Sequence, residues 1–191
     1  MKNYYEENAQ RFYNDTFNCD MSVQYNFFIK NLKSKGKILD LGFGSGRDII
    51  YFSSLGYKVV GIDPTPSFIG NMRQIGYEVY EGKAESLDYH NEFDGIWACA
   101  SLLHVKRDEL KDVFNKCHKA LKKDGVIYCS FKYGDYEGIY KDRYFNFLNE
   151  ELINNIIKDT NLKIIDILIT NDVRKDRDNE KWLNIILAEK I

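Results

Sequence analysis

Two acids and three glycines are the first residues whose types and spacing could do chemistry. In Asp40-Leu41-Gly42-Phe43-Gly44-Ser45-Gly46 an apolar run stops at an acid, and glycines then alternate with larger residues before the charged pair Arg47-Asp48. Asp63 closes the next apolar run, YKVVGID. Glycines lacking Cβ let a ligand approach the main chain closely, and a carboxylate at a strand end accepts strong, charge-assisted hydrogen bonds from hydroxyls. A nucleoside-triphosphate loop needs Lys-Ser/Thr after its last glycine, where Arg47-Asp48 stands instead. A dinucleotide fingerprint needs glycine or alanine in place of Arg47. That weakens this second reading, although Asp63 lies about where a ribose-binding acid belongs.

These residues must be positioned by strands and helices. KILDLG reads as a short buried strand and GRDIIYFSSLG as a helix stopped at Gly56. YKVVGID is a second strand, and PTPS opens a helix that runs to about Gly76. YEVYEG and FDGIWACA follow as strands, then a helix from about Lys106 to Leu121, then the strand DGVIYCSFKY. NEELINNIIKDT is a last helix, and LKIIDILIT and KWLNIILAEK are closing strands too near in sequence to pair otherwise than as an antiparallel hairpin. The fold class is α/β: a Rossmann-like open sheet, mostly parallel with one antiparallel C-terminal strand, and helices on both faces. Two helices occupy about residues 3–33, the second carrying Phe27, Phe28, Ile29 and Leu32 as its apolar stripe.

Composition narrows the classes. A chain of 191 residues with 44% hydrophobic and 29% charged residues suits one globular domain over 1–191, with a helical region at 1–33 and an α/β core at 37–191. Its 29 acids against 27 basic residues leave a net charge of -2, without the basic footprint of a dedicated nucleic-acid binder. The polar, acidic start and the lack of a spanning apolar run lead to the expectation of a cytoplasmic protein with no membrane partner. Four cysteines with no CxxC pair read as free thiols. Adjacent Cys117 and His118 point to different sides of a helix, so no metal is expected.

The order acid, Gly-x-Gly-x-Gly, second acid, with a reversed final strand, resembles the class I S-adenosylmethionine-dependent methyltransferases over nearly the whole chain. The resemblance implies the strand order 3-2-1-4-5-7-6, S-adenosyl-L-methionine as cofactor and S-adenosyl-L-homocysteine as product. It assigns Gly42, Phe43, Gly44 and Gly46 to the methionyl chain and ribose, Asp40 to the ammonium, and Asp63 to the ribose diol. Phe43 is a departure, since a smaller residue is frequent there. Pro64 and Thr65 flank the adenine, and Ala84 and Glu85 in EGKAESLDY lie against its other side, with Glu85 able to accept from the exocyclic amine. Ser101 joins the cofactor set.

The end of the fourth strand bears on the acceptor. Ala98-Cys99-Ala100-Ser101 lacks the Asn/Asp-Pro-Pro-aromatic motif of base amino-methyltransferases, and Cys99 lacks the preceding proline of cytosine C5 enzymes. Cys99 reads as a core residue. ASLLHV is similar to the small-molecule branch, including tellurite-resistance-type and ubiquinone-biosynthesis-type enzymes. There His104 can orient an acceptor, act as its base or simply fix the loop. The catalytic candidates are His104, Tyr13 and Lys132. The aromatic segment FKYGDYEGIYKDRYFNFLN, with Lys132, Tyr133, Arg143 and Tyr144, can line an acceptor pocket or cap it. NDVRKDRDNE reads as a solvated turn.

In look-alike enzymes the first helix lies across the site, which would place Tyr5 and Tyr13 over it as a lid. Stapling of the aromatics to the sheet's flank is the alternative. The expected partner is a small-molecule acceptor. A tRNA methyltransferase, a non-catalytic S-adenosylmethionine-binding protein and a short NAD-binding domain remain as alternatives, and oligomeric state is open.

Overall fold

Short apolar runs alternating with amphipathic ones build the layered sheet that the sequence implies. The computed structural model describes residues 4–33, 35–175, 177 and 179–190; Asn3, the first residue of the expected lid helix, lies outside them, as do Asp176 and Asp178. The strands are β1 (Lys37–Leu41), β2 (Lys58–Asp63), β3 (Glu78–Glu81), β4 (Phe93–Ala98), β5 (Leu121–Lys132), β6 (Glu137–Tyr140), β7 (Arg143–Asn146), β8 (Leu162–Asn171) and β9 (Lys181–Glu189). Seven of them form one sheet in the order β3-β2-β1-β4-β5-β9-β8, while β6 and β7 form a separate hairpin. With that hairpin set aside, this is the expected order. β9 runs antiparallel to both β5 and β8, so the reversed strand lies one place in from the edge.

The helices are α1 (Tyr4–Glu7), α2 (Ala9–Thr16), α3 (Ser22–Ile29), α4 (Arg47–Ser54), α5 (Pro66–Gln74), α6 (Leu110–Ala120) and α7 (Glu150–Ile157). Successive strand residues face opposite sides. Ile38 therefore joins the cluster under α3, α4 and α5, while Leu39 and Leu41 join the one under α6 and α7. Trp97 and Tyr128, both fully buried, stack at 4.0 Å between centroids on the α3 side.

Three elements differ from expectation. α6 begins at Leu110 because residues 106–109 form the preceding turn. β5 begins at Leu121, where a register shift opposite Phe93 extends its pairing with β4. Residues 137–146, read as an aromatic segment without strands, pair as a hairpin from Glu137↔Asn146 to Tyr140↔Arg143.

The glycine loop is anchored by a buried polar knot at its far end. Asp48, only 6% exposed, accepts from Arg47 Nε at 2.6 Å and Arg47 Nη2 at 3.0 Å. It also accepts from the Tyr25 hydroxyl at 2.5 Å and Trp97 Nε1 at 2.8 Å. Arg47 Nη1 donates to the Thr16 carbonyl at 3.0 Å, tying the end of α2 to the same point. Removing one partner of a buried ion pair leaves the other charge uncompensated, at a cost of about 3–5 kcal/mol. Asp48→Ala should therefore lower folding stability by about that much in denaturant unfolding. The double change Arg47→Met with Asp48→Leu should recover part of it. A loss below about 1 kcal/mol in the single variant would show that the knot is not structural.

Candidate active site

At the carboxyl ends of β1, β2, β4 and β5, the place where open α/β sheets bind ligands, the chain surrounds a cavity of about 560 Å³. One wall is the glycine loop. Gly42 has φ +80°, and a Cβ there would lie 2.4 Å from Ser101 Cβ, so the loop after β4 can approach only because position 42 is bare. Ser101 Oγ uses that approach to donate to the Leu41 carbonyl at 2.5 Å. Ala100, just before it, has φ +51°, an uncommon conformation for a residue with a side chain. Its N–H donates to Ser130 Oγ at 2.8 Å, which holds the turn in place.

Asp63 ends β2 on this wall. Its Oδ2 accepts from Gly44 N at 3.0 Å and its Oδ1 from Thr65 N at 2.8 Å. Burial pushes its carboxyl above the usual range, opposed by those donors. Each oxygen has acceptor capacity left, which suits a pair of ligand hydroxyls. Asp40 is buried, and its Oδ2 lacks a hydrogen-bond partner. Burial first, then the neighbouring Asp48, push its carboxyl well above the usual range. A cationic ligand group nearby would relieve that strain. Asp63 and the bare loop fit the ribose and amino-acid end of S-adenosylmethionine.

The opposite side is closed by the N-terminal segment. Phe12 of α2 lies so near Gly44 that a Cβ there would be 2.9 Å from its ring, and it packs on Phe68 of α5. Glu6 accepts from Ser67 N at 3.1 Å and from Ser67 Oγ at 2.5 Å, in the first turn of α5. Tyr5 reaches furthest in: its hydroxyl is 2.6 Å from His104 Nε2. His104 Nδ1 lies 2.7 Å from the Tyr144 carbonyl, which can only accept. The proton is therefore on Nδ1, and Nε2 accepts from Tyr5. Arg143 Nη1 donates to the same hydroxyl at 3.1 Å.

This triad is a latch rather than a proton relay. Burial pulls His104 down to about 4 and pushes Tyr5 above its ordinary 10.0. Both shifts keep the proton on the phenol and leave the imidazole neutral at neutral pH. At neutral pH the pair fixes geometry and excludes water.

The β6–β7 hairpin roofs the cavity beside the latch. Arg107, which drew no attention in the sequence, fastens its base through Asn146 Oδ1 at 3.0 Å and the carbonyls of Asp135 and Phe147 at 3.0 and 3.1 Å. At its tip Lys141 and Asp142 have φ +49° and +62°, the two-residue turn whose twist suits hairpins but favours Asn-Gly. The loop between β8 and β9, expected as a solvated turn, also folds inward. Asp172 is 7% exposed, paired with Arg174 at 2.5 Å and accepting from Trp182 Nε1 at 3.0 Å. A lone charged loop gives no period or motif from which that inward turn could be read.

Most expected site residues line this one cavity: Gly42, Phe43, Gly44, Asp63, Pro64, Thr65, Ala84, Glu85, Ser101, His104 and Lys132. Asp40 and Gly46 do not; a Cβ at Gly46 would meet Met72 of α5. Tyr13 is not among the lining residues either. It stacks on Phe17 at 4.5 Å, because one residue along a helix from inward-facing Phe12 is a rotation of about 100°. Tyr5 takes the place over the site. Lys132 is buried between the Trp182 and Phe147 rings and paired with Glu180, and burial pulls its ammonium down to about 8. Cys99, expected in the core, is half-buried on the cavity wall, its thiol pushed up to about 12 by burial. Among the described residues no group of three or more His, Cys, Asp or Glu is placed to hold a metal, and no helix is long and apolar enough to cross a membrane.

Comparison with known proteins agrees with this geometry. Residues 38–125 match the family described as a methyltransferase domain. An uncharacterized methyltransferase of Synechocystis sp. is 32% identical over 96 residues, 48% of this chain and 44% of that protein. Another, from Staphylococcus carnosus, is 24% identical over 178 residues, 90% of this chain and 82% of that one. The structure of Burkholderia thailandensis 1,6-didemethyltoxoflavin-N1-methyltransferase, with 1,6-didemethyltoxoflavin and S-adenosylhomocysteine bound, superposes with a TM-score of 0.77. Its identity is 19%, over 98% of this chain and 84% of that one. At such identity the likeness is one of fold, and the match spans less than half the length of the Synechocystis relative.

The latch generates a pH prediction. Opening exposes His104 and returns it toward its ordinary 6.5, against about 4 when closed. The open form thus binds a proton between those values, and acid favours it. By pH 5.5 opening should rise about tenfold over pH 7.5. Amide exchange of residues 4–16, corrected for intrinsic rate, should show this while residues 38–41 stay protected. Tyr5→Phe should open the segment at both pH values, and His104→Gln should flatten the pH dependence. Equal protection at both pH values would leave a fixed staple.

Proposed function

We propose that the chain is a class I S-adenosylmethionine-dependent methyltransferase that transfers a methyl group to a small-molecule acceptor; the match of residues 38–125 to a methyltransferase domain supports this reading. The observation that carries this reading is the single cavity joining the Asp63 and glycine-loop wall to an aromatic, cation-bearing wall under the Tyr5 latch. The small acceptor bound in the Burkholderia structure supports it.

When bound, the cofactor supplies a methyl group already activated on a sulfonium. The residues of this chain have the tasks of binding, alignment and drying. Asp63 accepts from the ribose hydroxyls, and Gly42 and Gly44 keep the main chain bare for the methionyl end. Asp40, which the resemblance gives to the ammonium, lies buried off the cavity lining, where burial favours its neutral form, so it acts from behind the loop and not by direct contact. Thr65, Pro64 and Ala84 flank the adenine. Tyr5, Phe12 and the β6–β7 hairpin exclude water and set the acceptor's approach, where orientation alone is worth several powers of ten in rate. Residues 4–16 act as the lid of one domain whose core begins at β1.

S-adenosylhomocysteine should raise the melting temperature and NAD should not, since only a ligand bound by the folded state stabilises it. Asp63→Ala should weaken S-adenosylhomocysteine binding by about 1.5–3 kcal/mol in calorimetry, the scale of hydrogen bonds to a charged group. A thermal shift with NAD alone, or unchanged affinity in folded Asp63→Ala, would overturn the assignment.

A further inference from the structure

The cations on the acceptor side of the cavity are mostly neutralised by the chain itself. Lys132 pairs with Glu180, Arg174 with Asp172, and Lys141 lies 4.0 Å from Glu180. Arg107 at the hairpin base has Glu137 at 3.6 Å. Arg177, on the loop after β8, also lines the cavity with no ion pair among the described residues; Arg143 differs from it in being held at the latch. Its guanidinium lies over the rings of Tyr4, Phe145 and Tyr5 at 4.6, 4.9 and 5.6 Å. It donates from Nη1 to the Tyr5 hydroxyl, and its Nε is buried with no hydrogen-bond partner. No carboxylate among the described residues forms an ion pair with it, although it lines the cavity beside the latch. Rings attract a guanidinium, but they leave its charge uncompensated. Asp142, its chain neighbour, is exposed at the hairpin tip and forms no pair with it.

We propose that the acceptor carries an oxyanion, carboxylate or phosphate, that pairs with Arg143 when it enters the cavity. The inference rests on the methyltransferase reading and adds the charge of the substrate. A second observation supports it. Both ring nitrogens of His104 are engaged, by Tyr5 and by the Tyr144 carbonyl, so the imidazole has no site free to take a proton from the acceptor. An acceptor whose nucleophilic atom is already deprotonated needs none. Its lone pair forms the bond to the methyl carbon, the carbon–sulfur electrons return to sulfur, and the sulfonium charge is cancelled with no proton released. An anionic substrate meets that requirement where the anion is itself the nucleophile.

The test uses the full chain loaded with S-adenosylhomocysteine and three flat probes: benzoate, phenyl phosphate and uncharged benzamide. Calorimetry or NMR titration should show benzoate or phenyl phosphate binding at least tenfold more tightly than benzamide, and which of the two is tighter separates carboxylate from phosphate. Arg143→Gln should abolish that preference, and Arg143→Lys should retain part of it. A rise in melting temperature with S-adenosylhomocysteine checks that each variant is folded. Equal binding of benzamide, no binding of either anion, or an unchanged preference in Arg143→Gln would overturn the proposal. Failure of S-adenosylhomocysteine itself to bind the native chain would instead overturn the underlying function.

Discussion

The buried pair between Arg47 and Asp48 holds together the parts on which the site depends. Two charges taken out of water lose several kcal/mol each, and their attraction offsets this only if the remaining hydrogen-bonding capacity is filled. Here it is filled from three directions: Tyr25 from α3, Trp97 from β4, and the Thr16 carbonyl at the end of α2. The knot therefore fixes where the glycine loop ends, how the N-terminal segment leaves the sheet and where the central strand sits. Hydrophobic burial could supply the same stability, but it is not directional. Only the donor and acceptor geometry makes these elements meet at one point. Arg47, the residue that breaks a dinucleotide fingerprint, has a structural reason to be there.

The sheet was legible because its information is local. Each strand from β1 to β5 is a short apolar run closed by an acid, a turn or a glycine, and the closing hairpin followed from the short connection before β9. One wall of the cavity was legible for the same reason: Gly42, Gly44 and Asp63 sit at strand ends, where the fold class already places ligands. Contacts that bridge distant segments were not. Arg107 holds the roof through carbonyls about 30 to 40 residues away, and no spacing within its own segment announces that. Asp172 looked like one more charge in a polar turn, yet it is buried because Trp182 and Arg174 fold over it. Tyr13 failed as a lid residue for a local reason that sequence could have weighed. Tyr5 and Phe12 are seven apart, two helical turns, and share a face that Tyr13 leaves.

Three of the five non-glycine residues with left-handed backbone among the described residues lie around the cavity. Ala100, Lys141 and Asp142 all adopt left-handed backbone, a conformation that costs a residue with a side chain roughly 1 kcal/mol or more and persists where surroundings impose it. At Ala100 the imposing contact is the Ser130 hydroxyl, and the result is the close seat of Ser101 on Gly42. At the hairpin tip the two-residue turn brings Arg143 directly opposite Tyr140, so the guanidinium and the Tyr144 carbonyl arrive together at Tyr5 and His104. A longer, relaxed turn would change that register.

These features give the two ends of the cavity opposite electrostatic characters. At the glycine-loop end lie carboxylates: Asp63, satisfied in part by backbone donors, and behind the loop Asp40, with an oxygen that has no partner. At the acceptor end a guanidinium awaits negative charge. A sulfonium donor and an anionic acceptor would each neutralise the end they enter. Their reaction cancels charge, and Coulomb terms between groups shielded from water are several-fold stronger than in water. In such a site a neutral, doubly hydrogen-bonded His104 is an advantage. A protonated imidazole beside Arg143 would add a second uncompensated cation to the acceptor wall, and burial of the ring against Phe145 prevents that. The aromatic shell thus does two things at once, closing the site and keeping its only histidine neutral.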